Sequence, residues 1–160
     1  MNIEDRIEYI TKWIADYVLK IEKQPVSLII GVSGGIDSAV TSTLCARTNL
    51  NTIVVSMPIN QNKNQYYLSI QHFEWLKNNF NNITSYTINL DSAFNSFQQA
   101  VKEFKCDLAY ANSKSRLRMV TLYQIAQSNN GIVVGTGNKV EDFGIGFYTK
   151  YGDGELIFLQ

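Results

Sequence analysis

Val26-Ser27-Leu28-Ile29-Ile30-Gly31-Val32-Ser33-Gly34-Gly35-Ile36-Asp37-Ser38 runs from an apolar stretch through a glycine turn into a helix start. The largely apolar run up to Ile30 predicts a short buried strand. Gly31, Gly34 and Gly35 let the backbone approach a ligand closely and accept positive φ. From about Ile36 to Arg47, Ala39, Val40, Leu44 and Cys45 carry a helical period. Backbone N–H groups at such a helix start form an anion cradle. Ser33 and Ser38 add hydroxyl donors, so the local chemistry is that of a phosphate site.

Upstream, Ile3, Ile7, Ile10, Ile14, Tyr17, Val18 and Ile21 recur three or four apart, which predicts a helix over 3–21 that Pro25 ends. Downstream, Asn51 marks a turn, and Thr52 to Met57 reads as a second strand stopped by Pro58. Residues 63–80 place Tyr66, Ile70, Phe73, Leu76 and Phe80 on one helical face. Ile83 to Leu90 reads as a third strand. Asp91 or Ser92 is the expected cap of a helix that turns Phe94, Phe97 and Val101 inward. A further helical stretch with Leu117, Val120, Tyr123 and Ala126 runs to about Ser128, where Asn129-Asn130-Gly131 breaks it. Ile132-Val133-Val134 is a fourth strand, and the chain from Gly135 on is polar and rich in glycine. Trp13 and Trp75 are assigned to the core, and His72 to a structural role.

Strands alternating with helices, each strand a continuous apolar run, predict an α/β fold: a Rossmann-like parallel sheet covered by helices on both faces, in three layers. Right-handed crossovers set the C-terminal ends of the strands along one edge. Ligands of open α/β sheets bind there.

The 160 residues suit one domain. The 14 basic and 14 acidic side chains cancel. That balance gives no support for a nucleic-acid or membrane-surface partner. No apolar run approaches the roughly 20 residues that cross a bilayer, and the N-terminus lacks the pattern of a secretory signal. A cytoplasmic location is expected. Cys45 and Cys106 make neither a disulfide framework nor a metal set, and both are expected to be buried or half-buried. His72 is the one imidazole, so a histidine-based metal site or catalytic triad is hard to build.

Two familiar phosphate loops are excluded. No lysine lies between Lys23 and Lys63 to complete a Walker loop, and the glycine spacing does not fit the dinucleotide fingerprint. Asp37 is informative because an acid beside a phosphate cradle repels the phosphate unless a cation intervenes, and Mg²⁺ bridging the two resolves this. A glycine turn with Asp37 as a helix cap is the purely structural counterpart. Ser33 to Ser38 resembles the pyrophosphate loop, Ser-Gly-Gly-x-Asp-Ser, of the ATP pyrophosphatase superfamily. Several of its enzymes share that loop: GMP synthetase, asparagine synthetase, a tRNA lysidine synthetase and NAD synthetase.

Three further stretches narrow the resemblance. Gly135-Thr136-Gly137-Asn138-Lys139-Val140-Glu141-Asp142-Phe143, continuing through Gly146 to Gly154, is similar to the signature of NAD synthetases. Asn112-Ser113-Lys114-Ser115-Arg116-Leu117-Arg118-Met119 resembles that family's Asn-x-Lys-x-Arg-x-Arg-Met stretch, and Met57-Pro58-Ile59 also fits. The resemblance implies an adenine nucleotide alpha hydrolase-like fold. It implies that Gly31, Val32, Ser33, Gly34, Gly35, Ile36, Asp37, Ser38 and Thr136 bind ATP and that Asp37 and Glu141 hold Mg²⁺. By the same resemblance Arg116 and Lys150 contact the second substrate, nicotinate adenine dinucleotide (deamido-NAD). Ammonia is the implied nitrogen source, no covalent nucleophile is needed, and the implied assembly is a homodimer. Arg118 reads as part of a solvated helix face.

After Gly152-Asp153-Gly154 the family continues with another glycine, an aspartate and much more chain, whereas this chain reads Glu155-Leu156-Ile157-Phe158-Leu159-Gln160. The expectation is therefore one NAD synthetase-like ATP-binding domain over 1–160, with the C-terminal part of the family domain and part of its dimer interface missing. The alternative activity is that of a nucleotide-binding fragment with impaired synthesis.

Overall fold

Asn2 starts the first helix with a closed capping box. Its side chain accepts the Asp5 N–H at 2.8 Å, and the Asp5 carboxylate accepts the Asn2 N–H at 3.1 Å. A computed structural model describes residues 1–137, Thr149 and Gly152. Helix α1 spans Ile3–Leu19, followed by β1 (Ser27–Gly31), α2 (Ile36–Arg47), β2 (Asn51–Ser56), α3 (Lys63–Asn79) and β3 (Ile83–Thr87). Then come α4 (Asp91–Ala100), α5 (Asp107–Ser128) and β4 (Gly131–Val133). The strands lie in the order β3-β2-β1-β4, every neighbouring pair parallel.

Strand alternation divides the core in two. Leu28 and Ile30 of β1 and Val54 of β2 face one side, where they meet Ile14 and Val18 of α1, Leu44 and Cys45 of α2, and Phe73 and Leu76 of α3. Ile29, Ile53, Val55 and Val133 face the other side, against Phe94 of α4 and Leu122 and Ala126 of α5. Helices therefore cover both faces, and the architecture is the three-layer, Rossmann-like one that the sequence predicts. Each fully buried Leu, Ile, Val or Phe contributes about 1.5–3 kcal/mol by leaving water. Among the described residues, no helix is long and apolar enough to cross a membrane.

Several expectations change in detail. The turn before β2 is made by Asn49, at φ 62°, while Asn51 already lies in the strand. Strand β3 ends at Thr87 rather than Leu90, although the Ile88 and Leu90 N–H groups still reach the Ser56 and Pro58 carbonyls at 2.9 and 3.0 Å. It is an edge strand of the described sheet, and Thr84, Tyr86 and Thr87 are exposed. Asp91 does not cap α4: Leu90 holds the cap position, and the Asp91 carboxylate accepts the Asn60 N–H at 2.6 Å. A neighbouring loop has taken the acceptor that the helix start would use. Trp75 is 47% exposed, stacked on His72 and edge-on to Phe80, so it flanks the core. Trp13 packs against the core as expected. Cys45 is buried, but Cys106 is exposed in the connection before α5.

On α5 only part of the apolar period faces the sheet. Val120 is 66% and Tyr123 41% exposed, whereas Leu122 and Ala126 are buried. Two rows compete along this helix, and the sheet takes the one spaced by four: Arg118, Leu122, Ala126. Gly31 makes room for it, since a Cβ there would meet Leu122 Cδ1 at 3.2 Å. The choice of row carries Arg118 to the C-terminal edge of the strands.

Candidate active site

Every strand ends at one edge of the sheet, and the loop after β1 lies there. Val32 extends the ladder, donating its N–H to the Val55 carbonyl at 2.8 Å. The chain then turns through Gly34, at φ +91°. A Cβ at Gly34 would run into the Gln65 carbonyl oxygen of α3. Glycine is thus required there twice, by backbone conformation and by space. Serines tie the turn together. The Ser38 hydroxyl donates to the Gly35 carbonyl at 3.0 Å and accepts the Ser33 N–H at 3.3 Å. The Ser33 hydroxyl accepts the Gly35 N–H at 3.2 Å. Gln61, from the segment after β2, donates its side-chain N–H to the Ser33 carbonyl at 2.9 Å. The loop is preorganised before any ligand arrives, and the positive end of the α2 dipole stands behind it.

This loop forms one wall of a cleft of about 730 Å³. Of the expected ATP residues, Gly31, Val32, Ser33, Gly35, Asp37, Ser38 and Thr136 line it. Gly34 shapes the turn behind the lining, and Ile36 is 74% exposed at the start of α2. Thr136 follows β4, which pairs with β1 and so brings the two glycine-rich segments side by side. The opposite wall is α5, with Asn112, Ser115 and Arg118. Thr149 donates its hydroxyl to the Asn112 side-chain oxygen at 2.6 Å. Gly152 fits against Ser115, whose Cβ a side chain there would meet at 2.9 Å. The two NAD synthetase-like stretches, far apart in sequence, thus meet in one cleft.

The arginines divide differently from the expectation. Arg116 is exposed on α5 and lies outside the cleft lining, while Arg118 lines it. The Arg118 Nε donates to the Met57 carbonyl at 3.0 Å, and burial pulls its guanidinium down from the usual value. Arg118 is therefore no solvated face residue. The deciding signal was its spacing of four from Leu122 and Ala126, a row that competed with a more apolar one. Glu141 and Lys150 lie outside the described residues.

Asp37 places a carboxylate in the first turn of α2, lining the cleft. Among the described residues, no three His, Cys, Asp or Glu side chains stand together as a protein cage for a metal would need. One cleft carboxylate does suit Mg²⁺, which keeps several waters and is bound by one or two carboxylates plus substrate phosphates.

The NAD synthase family model matches residues 6–159 of this chain. The NH(3)-dependent NAD(+) synthetase of Mesoplasma florum is 35% identical over 158 residues, covering 96% of this chain and 62% of that protein. Among solved structures, the NMN synthetase of Francisella tularensis superposes with a TM-score of 0.86 at 31% identity, covering 95% of this chain and 61% of that one. The NH3-dependent NAD synthetase of Campylobacter jejuni, solved with a nitrate ion, gives 0.84 at 28% identity, over 95% and 63%. The chain thus spans about three-fifths of the length of these relatives. With the Gly31–Ser38 loop, a β4 segment and an α5 wall arranged around one cleft, and with this match along nearly its whole length, the chain belongs to the NAD synthase family.

Proposed function

We propose that this chain binds ATP with Mg²⁺ and takes part in the amidation of nicotinate adenine dinucleotide by ammonia, giving NAD, AMP and pyrophosphate. The observation that carries this reading is the single cleft in which the Gly31–Ser38 loop, Thr136 and α5 face one another. The loop N–H groups and the α2 dipole take the terminal phosphates. A nicotinate carboxylate oxygen attacks the α-phosphorus, the bond from that phosphorus to the bridging oxygen breaks, and pyrophosphate leaves into the loop. Ammonia then attacks the acyl-adenylate carbonyl, the carbon–oxygen bond to AMP breaks, and a proton is lost. Asp37, with Glu141, would hold Mg²⁺, whose bound charge offsets that of the phosphates. Arg116 and Lys150 are proposed contacts of the dinucleotide.

No protein nucleophile enters these steps, so the residues act by positioning and electrostatics. A homodimer belongs to the same reading, and the outward Val120 and Tyr123 of α5 offer apolar surface for it. The activity is proposed for the cytoplasm, where ATP and ammonia are available.

The test is formation of NAD, followed by chromatography, from the deamido substrate, ATP, Mg²⁺ and ammonium. Turnover that needs all four supports the full reaction. ATP binding without turnover supports the alternative, a nucleotide-binding fragment. The Francisella tularensis neighbour is an NMN synthetase. Nicotinate mononucleotide therefore belongs in the same assay, and its preferred conversion would move the substrate assignment.

A further inference from the structure

Arg118 is a permanently charged group in the wall of the cleft whose guanidinium, among the described residues, has donors to spare. Its Nε is committed to the Met57 carbonyl at 3.0 Å. That carbonyl is the side chain's one hydrogen-bond partner among the described residues, and Arg118 makes no salt bridge among them. Among the described residues, the four N–H donors of the two terminal NH₂ groups, held in a rigid plane, are therefore uncommitted. The residue is half-buried, and burial already depresses its guanidinium. A half-buried cation is costly unless something pairs with it, and among the described residues no carboxylate does. The α5 row puts this one across from the anion cradle of the β1–α2 loop. Nε anchored to the backbone fixes the plane of the fork, the geometry that suits two oxygens of one oxyanion.

Resting on the proposed reading of the cleft, the geometry points to Arg118 as the residue that binds an oxyanion of the ligand spanning loop and α5. The shared chemistry is a planar pair of anionic oxygens, supplied by a phosphate of ATP or by the carboxylate of the acid substrate. Met57 sets the aim of the guanidinium, and the ligand supplies the missing charge.

Calorimetric titration of the 160-residue chain tests this with two ligand pairs. ATP against adenosine isolates the phosphates, and nicotinate adenine dinucleotide against NAD isolates the carboxylate. Arg118→Gln is expected to weaken the charged member of one pair about tenfold or more, and to leave its partner unchanged. A loss confined to ATP assigns the phosphate, and a loss confined to the acid assigns the carboxylate. Lys105→Gln, the same charge change on an exposed residue, is expected to alter neither pair. Equal binding by parent and Arg118→Gln overturns the assignment while leaving the cleft reading intact. A parallel loss for all four ligands marks damage to the fold and also overturns it. If the parent binds none of them, the cleft reading falls and takes Arg118 with it. Should Arg118→Gln fail to fold, Arg118→Lys carries the test. Lysine keeps the charge but cannot serve Met57 and a ligand through one fork, so unchanged affinity there rejects the role.

Discussion

At Gly34 a single backbone angle ties conformation to chemistry. Its φ of +91° and the Gln65 carbonyl beside it leave no room for a side chain. Gly34→Ala is expected to cost at least about 1–2 kcal/mol from the conformation alone. A chain of this size then melts several degrees lower, at about 2–4 °C per kcal/mol, and ATP affinity falls as well. Gly35→Ala is the comparison, because Gly35 has a negative φ of −87° and a Cβ there would meet, among the described residues, only Ser33 Oγ, at 3.3 Å. Equal thermal losses in the two variants would refute the argument. Asp37→Ala is expected to remove the Mg²⁺ dependence of ATP binding, and a variant that still responds to Mg²⁺ as the parent does rules Asp37 out as a ligand. These loop residues were legible in the sequence because what glycine and an acid do at a helix start is local chemistry. Arg118 was not legible, because its role depends on which row of α5 meets the sheet, and that is decided by packing against Gly31 and β4.

Elements at the sheet edge are held by short polar latches and by one aromatic cluster. The strands and helices on both faces were legible because β1 and β2 are continuous apolar runs, while the end of β3 and the start of α4 were not, because a distant backbone group intervened. That group is the Asn60 N–H, which binds the Asp91 carboxylate at 2.6 Å. The Asn60 N–H and then the Asn89 side chain hold Asp91 below its ordinary value. The linked stability is fully present above the unfolded aspartate value of about 3.9 and is lost as pH falls towards the lower folded value. Melting curves from pH 6 down to pH 3 should show Asp91→Asn losing less stability than the parent across that acid limb. Parallel curves would mean that the latch contributes nothing. Phe94 anchors the same region: it is 1% exposed, near Phe97 and Tyr110, with Lys114 Nζ 5.3 Å from its ring centre. Phe94→Ala is expected to cost about 3–5 kcal/mol, read as a lower denaturant midpoint at unchanged slope. A loss under about 1 kcal/mol would show that α4 is not fastened to the sheet by this ring.

The two cysteines connect the loop to the stability of the whole molecule. Cys106 is exposed, while Cys45 is 0% exposed in α2, and burial pushes its thiol up to about 12. The thiolate is the reactive form, so in the folded protein a disulfide reagent should modify one thiol quickly and reach Cys45 only when the core opens. Cys45 packs with α1, α3 and the sheet face that includes Leu28 and Val54. Its exposure therefore requires loss of the α1–α3 layer rather than movement of one loop. When opening and closing are fast relative to labelling, the slow rate tracks the open population. In the proposed reading, ATP with Mg²⁺ binds the folded chain through the loop at the start of the same helix. At 100 times its dissociation constant it stabilises the fold by about 2.7 kcal/mol, which slows Cys45 labelling roughly 100-fold. Cys106, already open to solvent, keeps its rate. Two thiols reacting together would contradict the burial of Cys45. A slow phase indifferent to saturating ATP and Mg²⁺ would separate the loop from the fold that holds it, because a ligand that binds only the folded chain must slow every event that passes through unfolding.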